Sequence, residues 1–183
     1  MTSDPALADL IRDVAYLEGD FLLRSGKRSS YYLDKYRFGT RPDLLGPLGD
    51  ALAAAVAECE PGAVRIAAPE LGAVPLAAAA SLSGGLPFVI VRKETKGYGT
   101  RNRVEGAYEE GELVCVVEDV VTSGGAAIDA VEALREAGLR VSHTVCVVDR
   151  EEGGTDALAR VAVRLHSLFR ASDFRKSTET AHG

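Results

Sequence analysis

"VVEDVVTSGG", Val116 to Gly125, decides how the rest of the chain is read. An apolar run of strand character meets two adjacent carboxylates, Glu118 and Asp119, then the hydroxyls of Thr122 and Ser123, then Gly124 and Gly125. In open α/β folds ligands sit at the carboxyl ends of the strands. Glycines let a backbone approach an anion closely, and a helix N-terminus offers unpaired N–H groups. The loop therefore suits a phosphate. The acids in front of it would be repelled by that phosphate, so they suit another part of the same ligand, such as sugar hydroxyls or a magnesium ion. A sugar phosphate satisfies both halves. A strand ending in a polar turn and a capped helix would explain the pattern without any ligand. Two commoner phosphate motifs are absent: after Gly26-Lys27 comes Arg28 with Phe21 at the first glycine position of a Walker loop, and no G-x-G-x-x-G opens a helix.

Around this stretch, apolar runs alternate with helical patterns. "AVRIAA", "LPFVIVRK", "ELVCVVED", "RVSHTVCVVD" and "VRLHSLF" read as strands. "VPLAAAASL" and "GAAIDAVEALREAG" read as helices, and Asp156 to Arg160 as a short one. Strands that are apolar throughout argue for a mostly parallel sheet covered on both faces. Upstream, Pro5 starts a helix with Leu7, Leu10, Ile11 and Val14 on one face. A hairpin is predicted from Phe21–Leu23 and Tyr31–Leu33 around a Ser-Gly turn, then an amphipathic helix from Pro42 to Glu58. With 183 residues and no linker or repeat, one domain over 1–183 is expected, its residues 1–40 a helix and hairpin and 177–183 a loose tail.

Composition narrows the function classes. Hydrophobic residues make up 46%, so the chain folds into a core. The net charge of -6 argues against a general nucleic-acid binder. No apolar run is long enough to span a bilayer, and the N-terminus lacks a signal-peptide pattern, so no membrane partner and a cytoplasmic location are expected. Cys59, Cys115 and Cys146 are scattered, and His143, His166 and His182 have no metal-ligand spacing, which argues for buried thiols and against zinc. One basic segment stands out: "VRKETKGYGTRNR", Val91 to Arg103, holds five of the 21 Lys and Arg and one acid. Glycine, lysine and arginine together suit a loop that closes over polyphosphate.

"VVEDVVTSGGA" resembles the phosphoribosyl-diphosphate motif of type I phosphoribosyltransferases, and further stretches resemble the orotate phosphoribosyltransferase family. That family's R-K-x-x-K-x-H-G, followed by E-G, is matched by Arg92, Lys93, Lys96, Gly99 and Glu105-Gly106, with Tyr98 in place of the histidine. Its F-x-L-x-S-G-x-x-S-x-Y is matched by Phe21, Leu23, Ser25, Gly26, Ser29 and Tyr31, with Arg24 where a lysine is common. Tyr32 and Leu33 stand where aromatics line the base pocket, and Arg150 in "VVDREEGG" stands where an arginine pairs with the orotate ring. "PELGAVPLA", Pro69 to Ala77, occupies the pyrophosphate loop, with Gly72 where some members carry a lysine. The resemblance implies backbone contacts to the anion there.

The resemblance further implies the type I phosphoribosyltransferase fold: an α/β architecture with a central, mostly parallel sheet flanked by helices and a small N-terminal hood. It implies transfer of the phosphoribosyl group from 5-phospho-α-D-ribose 1-diphosphate to orotate. Lys96, Lys93 and Arg92 would stabilise the departing diphosphate. Arg24, Tyr98, Glu118, Asp119, Val120, Val121, Thr122, Ser123, Gly124, Gly125 and Ala126 would join them in binding the phosphoribosyl diphosphate, with the two acids on the ribose and the loop around its 5-phosphate. Tyr32, Thr122 and Arg150 would bind orotate. Mg2+ is implied, held mainly through the substrate, and so is a homodimer. Transfer to another nucleobase, or a non-catalytic sensor of the same diphosphate, are the competing readings. Arg150 favours an acidic pyrimidine, and the retained Lys96 with no spare basic helix disfavours a regulator.

Overall fold

The computed structural model describes residues 5–22, 26, 28–93 and 102–174. Helix α1 (Pro5–Ala15) buries Leu7, Ile11 and Ala15, spaced one helical turn apart. It runs directly into β1 (Tyr16–Leu22), which pairs antiparallel with β2 (Arg28–Leu33), Tyr16 opposite Leu33 and Leu22 opposite Arg28. The first strand thus begins five residues before the Phe21 start read from sequence. The sequence reading also passes over a five-residue helix, α2 (Lys35–Gly39), whose cap is the Asp34 side chain accepting from the Tyr36 N–H at 3.2 Å.

Helix α3 (Pro42–Cys59) starts with proline at its first position, where no donor is lost. Then follow β3 (Arg65–Pro69), α4 (Ala73–Gly84), β4 (Phe88–Val91), β5 (Val104–Glu105), β6 (Leu113–Val121), α5 (Gly125–Glu136), β7 (Arg140–Asp149), α6 (Gly154–Arg160) and β8 (Arg164–Arg170). These strands form one sheet in the order β5-β4-β3-β6-β7-β8, parallel except for the β4–β5 pair. The expected mostly parallel sheet flanked by helices, with a separate small hairpin, is the architecture found.

Both faces of the sheet are covered. Cys115, Val117, Val145 and Val147 pack with α3 and α4 through Leu48, Leu52 and Leu76. Their strand neighbours Val114 and Val116 pack against α5 through Ala130, Val131 and Leu134. Successive strand residues point to opposite faces, so burial on both sides requires the unbroken apolar runs seen in the sequence.

The strand order reverses between β3 and β6. From β3 the chain winds outward through α4 to β4, and from β6 it winds the other way through α5 to β7. The loops leaving the two central strands therefore part from one another, and the gap between them is where open α/β folds hold ligands.

Candidate active site

β6 runs to Val121, two residues past the acids, and Val121 is paired with Asp149 of β7. Thr122 to Gly124 then turn the chain into α5. Gly124 precedes the helix at φ 84°, a left-handed conformation that favours glycine, and no side chain caps the helix. The first N–H groups of α5, at Gly125, Ala126 and Ala127, therefore lack intrahelical partners. Ser123, Gly125 and Ala126 are exposed, Thr122 and Val120 half-buried and Val121 buried. The start of α6 braces the turn: a Cβ on Gly154 would overlap Val121 Cγ1 and the Thr122 carbonyl. Unpaired N–H groups at a helix start are chemically suited to an anion.

The two acids lie at the root of the turn and are withdrawn from solvent, Glu118 being 5% and Asp119 1% exposed. Asp119 is held by the ammonium of Lys35 on α2, which lies 2.8 Å from Oδ2 and 3.1 Å from Oδ1. Its carboxylate also lies against the loop after β3, where a Cβ on Gly72 would overlap Oδ2. Gly72, read from sequence as a small residue exposing its backbone, thus has a second reason to be glycine. The Glu70–Leu71 bond in this loop is cis. Glu118 Oε1 accepts from the Asp119 N–H at 3.1 Å, and Oε2 is buried without a partner. Burial first, and the Asp119 charge second, push the Glu118 carboxyl up to about 8.

Arg92 and Lys93 follow β4 at the same edge of the sheet. The Arg92 guanidinium stands between two carboxylates, 3.7 Å from Glu105 and 4.0 Å from Glu70, and its Nε has no hydrogen-bond partner. The Lys93 N–H donates to Glu70 at 2.8 Å, and the Lys93 side chain is exposed. β5, absent from the sequence reading, brings Glu105 beside Arg92 by pairing with β4. Lys96 and Tyr98, like Arg24 in the hairpin, lie outside the described residues.

Arg150 follows β7 and is 9% exposed. Its backbone N–H donates to the Val121 carbonyl at 2.8 Å, which sets it beside the turn. Its guanidinium meets Glu152 at 3.0 Å and lies 4.9 Å from the Tyr31 ring centroid, while Nε has no hydrogen-bond partner. Tyr31 in turn stacks on Tyr16, centroids 5.0 Å apart. Tyr32 lies on the other face of β2, against Phe21 at 5.6 Å, and Leu33 is buried in the core. The structure thus brings Tyr31, rather than Tyr32, to Arg150. Adjacent tyrosines on a strand face opposite ways, and their sequence alone does not say which way is in. Lys35 is the neighbour of these residues that the sequence reading passes over, while Tyr31 and Glu70 are read there only as parts of a motif and of a loop, without these contacts. The only local signal was Asp34 as a helix cap just before Lys35.

A cavity of about 610 Å³ lies elsewhere, between α3 and α4 at the amino ends of the strands, bordered by Asp50, Glu60, Ala80 and Ser83. Among the described residues no group of three or more His, Cys, Asp and Glu is placed to hold a metal ion.

The fold, with open helix N–H groups, a carboxylate pair and two basic residues gathered where a doubly wound sheet reverses, is that of a type I phosphoribosyltransferase. The phosphoribosyl transferase domain family matches residues 49–166. An orotate phosphoribosyltransferase of Methanocella arvoryzae is 47% identical over 171 residues, 93% of this chain and 96% of that protein. The crystal structure of orotate phosphoribosyltransferase from Aeropyrum pernix superposes with a TM-score of 0.81 at 36% identity, covering 92% of this chain and 95% of that one. That of the Mycobacterium tuberculosis enzyme in complex with 5-phospho-α-D-ribosyl 1-diphosphate superposes with a TM-score of 0.78 at 28% identity, covering 93% and 97%. The chain belongs to the orotate phosphoribosyltransferase family.

Proposed function

We propose that the protein transfers the phosphoribosyl group from 5-phospho-α-D-ribose 1-diphosphate to orotate, releasing orotidine 5′-monophosphate and diphosphate. The observation that carries this reading is the convergence of the Glu118–Asp119 pair, the open N-terminus of α5 and the Arg150 guanidinium at one edge of the sheet. The N–H groups from Val121 to Ala126 bind the 5-phosphate. Glu118 and Asp119 take the ribose hydroxyls. Arg150 pairs with the anionic base through parallel donors, within a pocket completed by Thr122, Tyr31 and the hairpin carrying Tyr32.

The ribose C1–O bond weakens ahead of attack by the base nitrogen, so the sugar acquires oxocarbenium character. Orotate is already an anion, and no strong general base is needed. The departing diphosphate gains charge, and Arg92, Lys93 and Lys96 meet it. Arg92 is suited to this because its two glutamate partners are distant and one of its buried nitrogens is unpaired. Magnesium carried by the diphosphate supplies further charge neutralisation when bound. A protein offering a carboxylate pair with one unpartnered oxygen, but no three-ligand cluster, fits an ion brought in on its substrate. Each lost charged contact to the transition state costs roughly 2–4 kcal/mol.

A homodimer belongs to this reading, supported by the exposed Leu71 and Tyr36 beside the site, and sedimentation velocity tests it. A cytoplasmic location also belongs to it, supported by three free cysteines, two of them buried. The decisive experiment follows orotate absorbance with phosphoribosyl diphosphate and magnesium. Orotate consumption is expected; turnover of adenine or hypoxanthine instead would reassign the base, and turnover of none would leave a binding protein.

A further inference from the structure

Lys35 has no place in the reaction described above, yet it touches the acid that the reaction uses. Its side chain is 38% exposed, whereas that of Asp119 is 2% exposed. The buried Asp119 carboxylate thus has the more exposed Lys35 ammonium on one side and the Gly72 backbone on another. Lys35 is also the first residue of α2, directly after β2 and its cap Asp34. Four residues earlier on that strand segment is Tyr31, against Arg150. One short stretch of chain therefore bears on both halves of the site: the sugar corner through Lys35 and the base corner through Tyr31. A buried carboxylate is costly unless a partner compensates it, and the ammonium at 2.8 Å supplies that compensation. The Asp119 and Glu118 charges in turn help to raise the Lys35 pKa, against the desolvation that lowers it, so the lysine stays a cation.

We propose that Lys35 is a positioning residue for sugar binding: its ammonium holds the Asp119 carboxylate against the Gly72 loop, in the orientation that accepts ribose hydroxyls, and ties the N-terminal hairpin to the sugar corner. This rests on Asp119 being the ribose ligand. Lys35 acts through Asp119 and on the phosphoribosyl substrate, so its removal weakens that substrate and spares orotate. Arginine at position 35 keeps a cation beside Asp119 and restores part of the effect.

The test is a binding cycle with wild type, K35M, D119N and K35M/D119N, titrating phosphoribosyl diphosphate with magnesium by calorimetry, together with the Michaelis constants of K35M and K35R. K35M is expected to weaken the diphosphate about tenfold or more, or about 1.4 kcal/mol, because the carboxylate that accepts the ribose hydroxyls is no longer held in place. It should leave the Michaelis constant for orotate within about twofold and add little in the D119N background, where nothing remains for Lys35 to position. Wild-type affinity in K35M, equal losses for both substrates, no recovery in K35R, or additive losses in the double variant would each overturn the proposal. Should K35M not accumulate as folded protein, the comparison of K35M/D119N with D119N decides, because the double variant buries no unpaired carboxylate at this position. D119N binding like wild type would remove the ribose role of Asp119 itself, a result distinct from a harmless K35M beside a damaged D119N.

Discussion

The guanidinium of Arg150 lies 4.9 Å from the centre of the Tyr31 ring, and Tyr31 is itself stacked on Tyr16. An arginine 9% exposed is thereby held by a face-on aromatic contact from a different part of the chain, with Glu152 as its ion partner. A planar cation so constrained loses little freedom when it grips a planar anion.

Tyr31→Ala should therefore raise the Michaelis constant for orotate by up to about tenfold, from the loss of a partly desolvated cation–π contact. Tyr31→Phe should be close to wild type, because the ring rather than the hydroxyl faces Arg150. Arg150→Ala should raise the same constant far more, and that for the diphosphate little. Steady-state kinetics with each substrate varied separately measures all three, and equal effects on both substrates would remove Arg150 as the base selector.

On the proposed reading, Lys96→Ala should cut turnover by about a hundredfold to a thousandfold while leaving phosphoribosyl diphosphate affinity mostly intact, because a cation that meets the leaving group acts most as that group gains charge. Arg92→Ala should do the same to a smaller extent, since Lys93 stands beside it. Single-turnover rates compared with equilibrium binding separate the two quantities; near-normal turnover in Lys96→Ala would end its assigned role.

Gly72→Ala introduces a methyl group where Asp119 Oδ2 lies. The acid must move, and with it the Lys35 ion pair. A loss of about 1–3 kcal/mol in stability is expected from the overlap, together with weaker binding of the phosphoribosyl substrate. Chemical denaturation and calorimetry check this pair of effects, and a variant with normal stability and binding would contradict the packing described.

Glu118 makes stability fall as pH rises. Its carboxyl is raised from 4.5 to about 8 by burial and by Asp119. Between those values the folded protein keeps a proton that the unfolded chain has released. The stability contributed by this group is full below about 4.5 and is lost progressively as pH rises through about 8, by at most about 1.4 kcal/mol per pH unit. Glu118→Gln never ionises, so its stability relative to wild type should increase across that range. Urea midpoints from pH 5 to 9 test this; parallel curves for the two proteins would mean that Glu118 ionises normally.

The sequence by itself determined the frame of the protein. β7 runs over Arg140–Asp149 as its apolar run predicts, and α5 begins at Gly125 where the glycine turn places it. Those elements are long, and two-sided burial writes itself into every residue of a central strand. The glycine turn and the two acids before it were legible for a related reason: they are neighbours in the chain, so their spacing is local. Tertiary structure alone decided the rest. α2 and β5 are too short to show a period and exist because of what they pack against. Lys35 meets Asp119 across 84 positions, Gly72 clears space for a carboxylate on another strand, and the contact of Arg150 with Tyr31 depends on which face of the hairpin turns inward. Contacts between distant segments depend on strand order and register, and one local stretch of residues carries no record of either.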